Sequence, residues 1–172
     1  MREAYHVRAR RRSVMRSRRT LVVVLAGFLG VGCRLPPPTP PLETLRSTPA
    51  AQTLEGGTPV TLYASLWRDF MPSSPVGGKP LIALLEVRAE TPAALPADLS
   101  VEGAFVVLGD EVWASAPQVE GACSSPSCIR VISREGPLWG PDVAVDVVVQ
   151  IASGSSASVL LRQPEVVIRR TE

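Results

Sequence analysis

Histidine is almost missing from this chain: His6 is the single one among 172 residues, and lysine is as scarce, with Lys79 alone. Aromatic residues are few as well, three Trp, three Phe and two Tyr, and cysteine stops at three. No long apolar run exists. The longest, Leu21 to Val31, has eleven residues, whereas a membrane-spanning helix needs roughly 20. Each scarcity excludes something. Without a histidine after residue 6, neither a Ser-His-Asp nor a Cys-His nucleophile can be assembled in the body of the chain, and histidine-ligated zinc or copper is ruled out there too. The short apolar run excludes a spanning helix, and the absence of a helical period after residue 56 excludes a helix bundle.

The apolar run itself is informative. Arg16, Arg18 and Arg19 precede it, small residues interrupt it, and it stops at Gly32-Cys33, which is the layout of a signal-peptide h-region. The segment Leu29-Gly30-Val31-Gly32-Cys33 resembles the lipobox of bacterial lipoprotein signal peptides, with the leucine one place earlier than in that family. The resemblance implies that Cys33 receives a diacylglyceryl group and becomes the mature N-terminus. A conventionally cleaved signal, leaving Cys33 an ordinary thiol, is the alternative. Ser17-Arg18-Arg19-Thr20-Leu21 also resembles a twin-arginine export signal, so general and twin-arginine export both stay open. Residues 1–14, with five arginines, are expected to be a dispensable extension or a mis-called start, with Met15 opening a signal segment over 15–32. By the same resemblance, Arg34 rather than an aspartate after the cysteine implies delivery to the outer membrane of a two-membrane envelope.

Eight of the eighteen basic residues and one of the sixteen acids precede Cys33, which leaves ten bases against fifteen acids and a charge of −5 from residue 33 onward. Such a body carries no electrostatic footprint for nucleic acid, so attachment to a membrane is expected through the lipid. Asp69, Asp98, Asp110, Asp142 and Asp146 are scattered rather than set at calcium-loop spacing. No metal, cofactor or catalytic residue is therefore expected.

Residues 33–55 hold Pro36, Pro37, Pro38, Pro40, Pro41 and Pro49 and read as a lipidated N-terminus followed by a disordered, polyproline-like tether, extended at about 3 Å per residue. From 56 to 172 short alternating apolar runs are cut by Gly, Pro, Asp and Ser. Strands are predicted over Pro59 to Trp67, Leu81 to Ala89, Val101 to Leu108, Glu111 to Ser115, Ile129 to Arg134, Val143 to Ile151 and Ser158 to Arg169. Gly109-Asp110 fits a two-residue hairpin turn, and Pro164 marks a bulge or an edge. The fold class expected is all-β, a single antiparallel β-sandwich of about seven strands that resembles immunoglobulin-like and fibronectin-like domains in architecture only. Trp113 and Phe105 fall within strands as core or sheet-face residues.

Trp67, Arg68, Asp69 and Phe70 head a loop running to Gly78, and Trp139 sits in a second Gly/Pro loop. Large apolar side chains on loops often mark a contact surface, so these five form a candidate binding patch. The competing reading has Trp67, Phe70 and Met71 plugging one end of the sandwich, with Arg68 and Asp69 paired locally. The function expected is a non-catalytic binding or structural module on a lipid-anchored envelope protein, with a protein or glycan partner. The alternatives are an enzyme or accessory subunit using carboxylates, and an assembly helper that binds by strand augmentation.

Cys123 and Cys128 flank Ser-Ser-Pro-Ser and read as a small disulfide-closed turn in an oxidising compartment. A loop this short constrains the unfolded chain by only about 2 kcal/mol in the entropy model. Thiol alkylation of the exported protein should leave both cysteines unlabelled until reductant is added; immediate labelling would contradict the bridge.

Overall fold

The computed structural model describes residues 36–90, 94–121, 123, 127–154 and 156–172. The signal segment and Cys33 lie outside them. The described chain is mostly β. One short helix, α1 (Leu42–Ser47), precedes nine strands: β1 (Ala51–Thr53), β2 (Pro59–Asp69), β3 (Leu81–Ala89), β4 (Leu99–Leu108), β5 (Glu111–Ser115), β6 (Gln118–Val119), β7 (Cys128–Gly136), β8 (Ala144–Ser153) and β9 (Val159–Thr171). No helix among the described residues is long and apolar enough to cross a membrane.

The seven predicted strands are all present, within two residues at most of their expected ends. Their alternation does what a period of two dictates: Val60, Leu62, Ala64 and Leu66 of β2 face inward, while Thr61, Tyr63, Ser65 and Trp67 face outward. Gly109-Asp110 joins β4 to β5 with Leu108 opposite Glu111. Pro164 lies in a bulge, because Val145 pairs Val166 while Val147 pairs Gln163.

The arrangement of the strands departs from the expected sandwich. Hydrogen bonding runs in one path, β5-β4-β8-β9-β2-β3-β7-β6, with β1 added to β2, so the sheet curls into a half-barrel. The hinge is β9. Its first part pairs antiparallel with β8 from Val159 to Val167, and its last part pairs parallel with β2, Ile168 opposite Leu66 and Thr171 opposite Asp69. The all-antiparallel expectation fails at that one ladder. Between the two ladders the backbones part, and the gap is filled by side chains: Gln163 Oε1 accepts from the Ala64 N–H at 2.5 Å, and Asp146 Oδ1 accepts from the Glu165 N–H at 3.2 Å. Backbone donors are thus satisfied where the ladder cannot do it. At the far corner, β5 and β6 are successive pieces of one segment bent at Ala116-Pro117. β5 pairs β4 and β6 pairs β7, and Ser115 Oγ meets Ser133 Oγ at 2.7 Å across the opening.

The two walls enclose one main core that includes Leu66, Leu81, Leu85, Val147, Ile151, Leu161 and Ile168, all fully buried. Trp113 closes it by lying on Gly136, where a Cβ would sit 2.8 Å from the indole ring and 2.9 Å from Leu81 Cβ. Only glycine lets that ring approach.

The tether expected through residue 55 ends far earlier. Residues 42–47 form α1 and residues 51–53 form β1, which pairs with Pro59 to Thr61. A helix of six residues would not persist alone. This one has Glu43 in its first turn and Arg46 in its last, matching the helix dipole, and it is held by burial. Leu45 is fully buried with Phe105, Val107 and Val148 on the outer side of β4 and β8. Phe105, expected as a core or sheet-face residue, is fully buried here. Leu45→Ala should therefore lower stability by about 2–5 kcal/mol, read as a lower urea midpoint; a change under about 0.5 kcal/mol, the usual range for surface substitutions, would show that α1 is not packed there.

Candidate functional site

The outer side of β2, β3 and β7 is the wall that no helix covers among the described residues. Cross-strand register sets its rows: Trp67 beside Ile82, Ser65 beside Leu84, Tyr63 beside Glu86, and Glu86 beside Arg130. The parallel ladder adds Arg169 next to Trp67. At the end where β2 and β9 finish and β3 begins, Trp67, Asp69, Met71, Lys79, Ile82 and Arg134 line a cleft of about 400 Å³. Its lining comes from four strands and the loop after β2.

Most charges on this wall are paired, but Glu135 at the cleft and Arg169 are not. Lys79 Nζ lies 2.7 Å from Asp69 Oδ2 at the cleft rim. That hydrogen bond, helped by the Met71 N–H at 2.9 Å, holds the Asp69 carboxyl below the usual carboxylate range. The carboxylate therefore stays ionised, so the contact orients the rim and Asp69 has no proton to exchange near neutral pH. Glu86 is buried at 5% exposure. Burial would raise its pKa, but hydrogen bonds from Arg88 and Arg130 outweigh that and lower it. Arg88 also lies over the Tyr63 ring, 4.2 Å from its centroid. Arg134 meets Glu120 at 3.1 Å, both well exposed, a contact of small energetic weight. Arg169 is exposed and has no hydrogen-bond or ion-pair partner among the described residues.

The five residues expected to form one patch are separated by the fold. Trp67 is half-buried on the outer wall and Asp69 sits at the cleft rim. Arg68, one residue between them, points the other way and is only 3% exposed, so it belongs to no binding surface. Its guanidinium donates to four carbonyl oxygens: Lys79 at 2.9 Å, Gly77 at 2.5 Å, Leu138 at 3.0 Å and Gly140 at 2.9 Å. The expected Arg68–Asp69 pairing does not form, because neighbouring strand residues face opposite sides. Phe70 lies between two cations, 5.0 Å from Arg68 and 4.5 Å from Arg170. Trp139 packs against the main core and donates from Nε1 to Glu111 Oε2 at 2.9 Å, so it shares no surface with Trp67. Met71 does not plug the barrel end and remains 48% exposed.

Lys79, Ile82, Arg134 and Arg169 were not singled out as patch residues. Arg169 carried one usable signal, since its place in the last predicted strand alternates with buried Ile168; its neighbour Trp67 lies 102 positions away, a pairing no local pattern specifies. Cys123 and Cys128 are bridged, with Cα atoms 5.9 Å apart. No group of three His, Cys, Asp or Glu among the described residues could hold a metal ion. No protein-family model, curated protein or solved structure matches the chain.

Arg68 is a buried charged group whose removal would leave four carbonyl acceptors without their guanidinium donor. Arg68→Met should cost about 3 kcal/mol and open the 70–80 and 137–142 loops to protease. Arg68→Lys should rescue little, since a single ammonium cannot reach both loops as the guanidinium fork does; full rescue by lysine would refute this role.

Proposed function

We propose that the chain is an envelope lipoprotein, anchored through a lipid on Cys33, whose β domain is a non-catalytic binding module for a protein or glycan partner. The observation that carries the binding half is the cleft beside Trp67. It offers an aromatic face, a thioether rim at Met71 and the Arg134 guanidinium, with the unpaired Arg169 beside Trp67 on the neighbouring strand. Trp and Arg are the residues in which binding energy concentrates, and an indole face suits a sugar ring or an apolar side chain equally. A domain with charge −5 from residue 33 onward that places an unpaired arginine beside a half-buried tryptophan on its outer wall favours a partner with an anionic group near an apolar or ring surface. The anchoring half rests on the lipobox-like segment and on Arg34, which favours the outer membrane.

Two measurements test the halves separately. Cys33→Ser should move the protein from the membrane pellet to the soluble envelope fraction; persistence in the pellet would contradict the lipid anchor. Proximity labelling in the native envelope should lose its strongest partner with Trp67→Ala or Arg169→Glu, by about tenfold or more for a central contact residue. An unchanged set of partners in both variants would contradict the cleft.

A further inference from the structure

The segment after Cys33 is docked almost from its start. Pro37 packs on β4 so closely that a Cβ on Gly103 would come within 2.3 Å of the proline Cγ. From there the segment stays attached to the same wall. Leu45 is buried under α1. Arg46 donates to Gly109 O at 2.6 Å and pairs with Asp110 at 3.0 Å. The Arg162 guanidinium donates to the Arg46 carbonyl, and Pro49 O accepts from the Arg162 N–H at 3.0 Å. What was expected to be a tether of several tens of ångströms is thus part of the folded unit. Between Cys33 and Pro37 there remain four residue steps, which span at most about 14 Å even when fully extended.

That short reach has a direction. Gly103 and α1 lie on the outer side of the β4 and β8 wall, where Phe105 and Val148 point. Trp67 lies on the outer side of β2, opposite to Leu66, which points into the core. The anchor point and the cleft are on opposite walls, with the main core between them.

From the length of chain left free and the place where it docks, we infer that the domain is seated on its own bilayer with the α1 and β4 wall toward the lipid, and that the Trp67 cleft opens to the aqueous side. The lipid headgroups of its own membrane are then not the cleft's ligand; the partner is presented from the aqueous phase. Glu43, Glu102 and Asp110 lie on the seated wall against Arg46 and the Arg162–Asp146 pair. An excess of acid there gives no attraction to anionic lipid, so the seating depends on the length of the leash and not on charge.

The inference rests on the lipid at Cys33, and the experiment separates the two. Full-length lipidated protein, reconstituted in vesicles of phosphatidylethanolamine and phosphatidylglycerol containing nitroxide-headgroup lipid, carries one fluorophore at Ser47→Cys or at Arg169→Cys. Flotation is scored first. A chain that does not float because Cys33 bears no lipid overturns the lipoprotein reading and this one with it. In floated protein, the Ser47→Cys label should lose most of its emission and the Arg169→Cys label little, with no change on raising salt. A flexible insert of about twenty Gly and Ser residues between Leu35 and Pro36 should erase the difference. Equal quenching at both positions, stronger quenching at 169, or a pattern indifferent to the insert would overturn the seating while leaving the lipid anchor intact.

Discussion

A single strand, β9, belongs to both walls of the domain, and most of the architecture depends on that. Its first part completes the antiparallel run with β8, its last part lies parallel to β2, and the bulge at Pro164 and Glu165 bends it within the β8 ladder, shortly before the change of partner at Ile168. A strand without an N–H at the turning point suits this place, because proline could not supply a ladder bond there. The cost of parting two ladders inside a folded protein is unpaired backbone. Gln163 and Asp146 meet that cost with side-chain oxygens aimed at Ala64 and Glu165, so the sheet curls without leaving those donors unsatisfied.

Arg68 acts as a second fastening at the end where β9 terminates. Four carbonyls from two loops converge on one guanidinium, and the Thr171 hydroxyl donates to the Arg68 carbonyl at 3.3 Å. The loop after β2 is thereby held against the loop before β8. This gives the Trp67 cleft fixed edges: Asp69, Lys79 and Met71 are positioned by a residue that lies behind them and never reaches the cleft. Rigid support beneath a partly exposed aromatic residue reduces the conformational entropy lost when a partner is bound.

The opposite wall shows a different use of the same principle. Phe105, Val107 and Val148 would leave an apolar surface open, and the N-terminal segment covers it with Leu42 and Leu45. One outer wall is closed by α1 while the other keeps Trp67 and Tyr63 at least partly exposed, and this asymmetry gives the domain a back and a front.

The individual strands were legible because half-buried strands alternate with a period of two, and β2 or β8 shows that period over most of its length. The hairpin at Gly109-Asp110 and the bulge at Pro164 were legible from backbone chemistry, as was the cysteine pair from its spacing. β1 and β6, with three and two residues, are too short to carry a period. α1 follows a run of prolines and is stabilised by Leu45 reaching a surface more than fifty residues away in sequence, so local propensity said nothing of it. The five patch residues were separated for the same reason: Trp67 and Asp69 end β2 on one side of the strand, strand parity turned Arg68 inward, and tertiary packing put Trp139 on the core. The sequence by itself determined the β class and the lack of any histidine after residue 6, since these depend on composition and short-range periodicity. Only the tertiary structure decided that β9 joins the two walls, that residues 37–53 are part of the domain, and that Trp67 and Arg169 are neighbours, because each of these is a pairing between distant segments selected by burial and backbone hydrogen bonding.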